Sequence, residues 1–252
     1  QIANCFGKVQ DSLSYLVNVY TGIASWQACA NRLRAFTDHM EAQTKAAQQA
    51  EKKLRITRGG HVLALHDVQV DLPNGEELLR HVSMTFKEGE KVIIRGSSGA
   101  GKSTLLRVLA GLWPYAEGKM ELPAEGAMLF IPQKPYLPFG TLRHALSYPG
   151  EDAGDDVLIP LMKQCRLEKH VSQLDTEGDW MNVLSLGEQQ KAAFVRILLR
   201  KPRWLFLDEA SSAMDEETEA ALYGLLPHLP STVISIGHRS TLDKFHERGV
   251  EI

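Results

Sequence analysis

The sequence runs to 252 residues, with 28 Lys and Arg against 31 Asp and Glu, a formal net charge of −3. That balance argues against a nucleic-acid partner, which calls for a basic face, and 44% hydrophobic residues argue against a disordered chain. Three cysteines (Cys5, Cys29 and Cys165) have no C-x-x-C spacing and cannot all pair within the chain, so a reduced setting is expected. The chain opens on Gln1 rather than Met, so a longer polypeptide upstream is expected.

Residues 6–26 are moderately apolar but interrupted by Lys8, Asp11 and Asn18. A free-standing membrane span needs about twenty predominantly apolar residues, and this stretch falls short. Two readings stand at this point: the cytosolic end of a spanning helix, or an amphipathic helix docked on a domain. From Ala28 to Lys53 the sequence turns to Ala, Gln, Glu, Lys and Arg, which predicts an exposed helix. A linker is then expected up to Arg58-Gly59-Gly60.

Strands are expected at 61–65, 68–72 and 82–86, with Pro73-Asn74-Gly75 and Glu88-Gly89-Glu90 as turns. A short apolar run, Val92 to Ile94, ends at Gly96-Ser-Ser-Gly-Ala-Gly-Lys-Ser103, and helical spacing starts at Lys102. This is G-x-x-x-x-G-K-[ST] between a strand and a helix, the layout that wraps backbone N–H groups and a helix N-terminus around a phosphate. Gly96, Ser97, Ser98, Gly99, Ala100, Gly101, Lys102, Ser103 and Thr104 are therefore expected to cradle a nucleoside triphosphate. Lys102 would reach its β- and γ-phosphates, and Ser103 would ligate Mg²⁺.

Further along, 128–131 reads as a strand, 141–175 as mainly helical and 187–200 as a helix. Strand Trp204 to Leu207, helix Glu216 to Leu226 and strand Thr232 to Ile236 follow. Strands alternating with helices predict an α/β fold with a parallel sheet covered on both faces. Its ligand edge is the C-terminal end of the strands. Trp204-Leu-Phe-Leu-Asp208-Glu209 is four apolar residues ending in two acids. By itself this is a buried strand running into a solvated acidic turn. With a phosphate loop upstream, Asp208 reads as a Mg²⁺ holder and Glu209 as the general base or water-orienting group.

Asp179-Trp-Met-Asn-Val-Leu-Ser185-Leu-Gly187-Glu-Gln-Gln190-Lys resembles the L-S-G-G-Q signature of ATP-binding-cassette (ABC) ATPases. Gln133 matches their Q-loop, Ser211 to Asp215 their D-loop, and His238 their switch histidine, in the family's order. The resemblance covers about residues 60 to 252. The segments Gln133-Lys-Pro-Tyr-Leu-Pro-Phe-Gly-Thr-Leu-Arg143 and Ser147-Tyr-Pro149 look like subfamily D, the peroxisomal fatty-acyl transporters. They look more like bacterial YddA-type and SbmA/BacA-like half-transporters. Ile23-Ala-Ser-Trp26 to Phe36 is similar to the end of those proteins' last membrane helix.

The resemblance implies a P-loop NTPase fold with a mainly parallel core sheet, an antiparallel β subdomain and a helical subdomain at about 134–200. Residues 1–57 would be the end of a membrane helix plus a linker helix, and 58–252 the ATP-binding domain. It implies ATP and Mg²⁺ as cofactors, with Gln133 sensing the metal or γ-phosphate and His238 holding the attacking water. Ser185 and Gly187 would complete the site of a second copy across a head-to-tail interface, with Asp215 at that interface. The partners implied are that second copy, or a close paralogue, and a transmembrane domain upstream of Gln1. No nucleic-acid partner is expected, and the place is the cytoplasmic face of a bacterial inner membrane.

Three positions depart from the family pattern. Leu186 replaces the first signature Gly, Glu188 stands where many members have Gln, and Leu72 aligns with the aromatic that stacks on adenine. Losing that aromatic removes a contact worth about 1–3 kcal/mol in base-stacking sites. The other reading, a soluble cassette ATPase acting on nucleic-acid or protein complexes, is disfavoured by the net charge and residues 1–27. A P-loop kinase or GTPase would lack the signature helix.

Overall fold

The computed structural model describes residues 2–60, 62–124 and 128–252; Gln1 and His61, the expected start of a strand, lie outside the described residues. The chain divides into two compact units at Lys52/Lys53. The first is helix α1 (Ile2–Lys53), unbroken over 52 residues. Along it Tyr15, Tyr20, Ile23, Trp26, Leu33 and Phe36 are exposed. Among the described residues no helix is long and apolar enough to cross a membrane.

The second unit begins with β1 (Leu54–Gly60), β2 (Val62–Asp71), β3 (Glu77–Lys87) and β4 (Lys91–Arg95). Helix α2 (Lys102–Leu109), β5 (Ala116–Pro123) and β6 (Met128–Ile131) follow. A small ribbon, β7 (Gly140–Thr141) with β8 (Glu177–Gly178), frames α3 (Leu142–Ser147) and α4 (Asp155–Gln164). Then come α5 (Trp180–Val183), α6 (Leu186–Arg200), β9 (Trp204–Asp208), α7 (Glu216–Tyr223), β10 (Thr232–Ile236) and β11 (Arg248–Glu251).

Strands β11-β4-β10-β9-β6 form a parallel sheet in that order, and β1-β5-β2-β3 form a second sheet. In the second sheet β2 runs antiparallel to β3 and β5, while β1 runs parallel to β5. The expected linker before Gly60 is thus a strand. Only Leu54 of it is buried, and backbone pairing from Leu54↔Gly118 to Arg58↔Leu122 holds it, so no apolar alternation marks it. Helix α2 ends at Leu109.

The parallel sheet is covered on both faces, and its side chains alternate between two cores. Val92, Ile94, Trp204, Phe206, Ile234 and Ile236 pack with α2 and the second sheet. Ile93, Leu205, Leu207 and Val233 pack with α3, α4 and α6. Burial on both sides explains why these strands read as unbroken apolar runs. Emptying such a position, Phe206→Ala for example, costs about 3–5 kcal/mol.

Register places the site. Ile236 of β10 lies opposite both Ile94 of β4 and Asp208 of β9, and Ile131 of β6 lies opposite Leu207. Gly96, His238, Glu209 and Gln133 follow within two residues of that row, so all four emerge at one edge of the sheet.

Candidate active site

The loop after β4 turns into α2 through Gly101, whose φ of 88° is left-handed. A Cβ there would also meet Leu78 at 3.0 Å and Leu79 at 3.2 Å, so only glycine fits. Lys102 is 6% exposed and folds back along the loop. Its Nζ donates to the carbonyl oxygens of Gly96 (2.9 Å) and Ser97 (2.7 Å). The ammonium is thereby held at the centre of the loop, where an anion would sit. A cleft of about 400 Å³ opens over it, lined by Leu72, Leu78, Ser98, Gly99, Gly101, Lys102, Ser103, Thr104, Glu209 and His238.

Ser103 Oγ donates to Asp208 Oδ1 at 2.8 Å, joining the start of α2 to the end of β9. Burial is the largest influence on Asp208 and pushes its carboxyl up; the Ser103 hydrogen bond opposes this, and the neighbouring charge of Glu209 reinforces it. Glu209 itself has φ 49°, uncommon for a non-glycine residue and held by its N–H donating to Ile236 O at 3.1 Å. Such backbone costs about 1–3 kcal/mol and concentrates at functional sites. The turn aims its carboxylate between two partners. Gln133 Nε2 donates to Oε2 at 3.1 Å, and His238 Nε2 lies 3.1 Å from Oε1.

Gln133, Glu209 and His238 are therefore one hydrogen-bonded row, of which Glu209 and His238 line the cleft, beside the Ser103–Asp208 pair. For Mg²⁺ the fit is by chemistry: Ser103, Asp208 and Gln133 offer hard oxygen donors at the phosphate edge, the set this ion takes alongside substrate phosphates. Among the described residues no group of three or more His, Cys, Asp or Glu is placed to hold an ion by protein alone.

Ser185 and Gly187 stand apart. Among the described residues neither lines the cleft. Ser185 is the N-cap of α6 in a capping box: its Oγ accepts from Glu188 N, and Glu188 Oε2 accepts from Ser185 N at 2.9 Å. Glu188 also pairs with Lys169 and, at 3.1 Å, with His170. Burial pushes its carboxyl up, but these partners and Ser185 together hold it well below the usual carboxylate range. Gly187 packs against the D-loop of its own chain; a Cβ would lie 2.9 Å from Ala213 O. Leu186 is 38% exposed. Asp215 caps α7 by accepting from Thr218 N at 2.7 Å.

One organising residue carried no role in the sequence reading. Gln190 is 0% exposed, and its Nε2 donates to Gln133 O at 2.8 Å and Ser212 Oγ at 3.2 Å. Its Oε1 accepts from Ala213 N at 3.0 Å. This amide ties the signature helix to the Q-loop and D-loop. The legible signal was its place on the apolar stripe of α6, four residues before buried Phe194.

A family model described as ABC transporter matches residues 79–212. An uncharacterized ABC transporter ATP-binding protein of Synechocystis is 38% identical over all of this chain and 40% of its own length. ABC transporter D family member 1 of Dictyostelium discoideum is 30% identical over 98% of this chain and 37% of its own length. A solved bacterial Atm1-family ABC exporter with ATP bound superposes with a TM-score of 0.64 at 29% identity, over 72% of this chain and 35% of that one. The chain thus spans about two fifths of the length of these curated relatives. The loop from Gly96 to Ser103, Asp208, Glu209, Gln133 and His238 meet at one sheet edge, in agreement with those matches: the chain belongs to the ABC transporter family, as an ATP-binding ATPase domain.

Proposed function

We propose that this domain drives a membrane transporter by closing head-to-tail on a second copy around two ATP molecules, and reopening on hydrolysis. The observation that carries the reading is a division within one chain. Glu209 and His238 line the cleft over the phosphate loop, with Asp208 and Gln133 hydrogen-bonded to its lining residues Ser103 and Glu209, while Ser185 neither lines the cleft nor bonds to a residue that does.

In this reading Lys102 leaves its two carbonyl partners to meet the β- and γ-phosphates, and the N–H groups from Gly96 to Thr104 wrap them. Ser103, Asp208 and Gln133 would hold Mg²⁺, which neutralises charge on the phosphates. Glu209 takes the proton of the attacking water, and His238 steadies that water and the γ-phosphate. Ser185 and Gly187 of the second copy bring the N-terminus of α6 to the γ-phosphate from the far side. Leu72 and Leu78 give the base end of the cleft apolar walls, so the nucleotide is gripped chiefly by its phosphates. Gln190 carries the state of the Q-loop to the signature helix.

The transmembrane domain of the same polypeptide would lie upstream of Gln1, placing this domain at the cytoplasmic face of a bacterial inner membrane. The test is reconstitution of the full-length protein in vesicles. ATP hydrolysis that rises with a transported solute and is lost in Glu209→Gln supports the reading. Hydrolysis by a species that stays monomeric throughout the cycle overturns it.

A further inference from the structure

The ATP site uses Glu209 and His238, but a second carboxylate lies behind them. Glu219 is 1% exposed, on the face of α7 that also buries Leu222 and Tyr223. A buried carboxylate is costly unless each oxygen is satisfied, and here each is. Oε1 accepts from Thr241 Oγ1 at 2.7 Å. Oε2 accepts from Ser211 Oγ at 2.6 Å and from Arg239 Nη1 at 3.4 Å. The same guanidinium donates to Met214 O at 2.9 Å and, through Nη2, to Ser212 O at 3.3 Å.

One carboxylate therefore joins two segments. Ser211, Ser212 and Met214 belong to the D-loop; Arg239 and Thr241 follow directly on His238. Between these segments lies a cavity of about 100 Å³, whose lining includes Glu209, Ser212, Glu219, His238 and Arg239. The His238 side chain is about half exposed, and its side-chain partner is Glu209 at 3.1 Å. That distance depends on the backbone of residues 237–241, which Arg239 and Thr241 tie to Glu219 on the D-loop side, while Arg95 of β4 donates to the carbonyl oxygens of His238 (3.4 Å) and Arg239 (3.1 Å).

We infer that Glu219, acting through Arg239, is a positioning residue for hydrolysis: it holds the switch-histidine loop against the D-loop, so that His238 and Glu209 meet in register over the γ-phosphate. The inference rests on the ATPase reading of Glu209 and His238. Glu219 does not line the phosphate cleft, so its loss alters turnover and leaves nucleotide affinity in place.

The experiment is steady-state ATPase kinetics with separate MgATP binding, on full-length wild type, Glu219→Gln, Arg239→Gln and the double variant. Glu219→Gln keeps the side chain's shape while removing the charge that Arg239 faces. Arg239→Gln breaks the same contact from its part-exposed partner, together with the donations to Met214 O and Ser212 O. The expected result is a fall in kcat of tenfold or more in each single variant, MgATP affinity within twofold of wild type, and a double variant no slower than the worse single. A kcat within twofold of wild type in both singles overturns the inference. So do losses that multiply in the double variant, and so does affinity falling in step with kcat, which marks a general structural role. Wild type that fails to hydrolyse ATP would instead sink the ATPase reading, a result distinct from all of these.

Discussion

The phosphate edge and the signature turn lie in the same unit but are built to opposite plans. At the phosphate edge, charged groups are buried or part-buried and each is held by another functional group: Lys102 by the loop, Asp208 by Ser103, Glu209 by Gln133 and His238. At the signature turn, Ser185 and Glu188 satisfy one another in a capping box, and Leu186 faces outward. The first region is preorganised to act on a ligand within one chain. The second is stabilised as a helix start. On the proposed head-to-tail reading, the difference would mean that half a catalytic site is finished in a single chain while the other half is made rigid and presented.

The largest break in this comparison is at Glu209. Glu209→Gln keeps the hydrogen-bonding shape and removes the base, and general-base loss costs about 10²–10⁴-fold in rate. Phosphate release should fall by that order, while light scattering detects an ATP-dependent dimer that persists. Lys102→Ala comes next. Removing a buried ammonium from a phosphate contact costs on the order of 1.5–3 kcal/mol, about 10- to 100-fold in affinity. Titration with a fluorescent ATP analogue should show that loss with the dimer abolished; unchanged affinity would remove Lys102 from the phosphate.

Ser185→Ala tests the other half. As an N-cap alone it costs roughly 0.5–2 kcal/mol of stability, read as a lowered thermal midpoint. With a γ-phosphate contact in trans, it also loses the ATP-dependent dimer in the Glu209→Gln background, while nucleotide affinity of the monomer stays put. A variant that loses stability yet dimerises normally would leave Ser185 as a cap and nothing more.

How much of this was legible follows from where each residue's constraint resides. The parallel sheet was legible because burial on both faces leaves continuous apolar runs such as Trp204 to Leu207. The phosphate loop and the strand-end acids were legible because their chemistry is local in sequence. Strands β1 and β11 were not, because edge strands like these bury little and are held by backbone pairing to partners far along the chain. Strand β5 did carry a signal: Ala116, Met120 and Leu122 point inward while Glu117, Lys119 and Glu121 point out. Its Gly and charged residues, depleted in strands generally, hid that alternation. Gln190 and Glu219 were missed for another reason. A polar residue on an apolar stripe announces a buried partner, but which loop supplies it is decided only by the packed fold.

The smallest expected effect concerns the base end of the cleft, where the preorganised half is least finished. Leu72 and Leu78 line it, and an aliphatic wall offers a base dispersion and burial but no stacked π-face. Leu72→Tyr should add part of the roughly 1–3 kcal/mol that stacking supplies per base, read as a severalfold gain in ATP affinity. Inorganic tripolyphosphate, which has no base, should bind wild type and variant alike. That pairing isolates the base from the phosphates: a gain for both ligands would mean the loop itself had shifted, and a gain for neither would place the base away from Leu72. A gain confined to ATP would show that this chain grips the nucleotide by its phosphates because its sequence leaves the base wall unstacked.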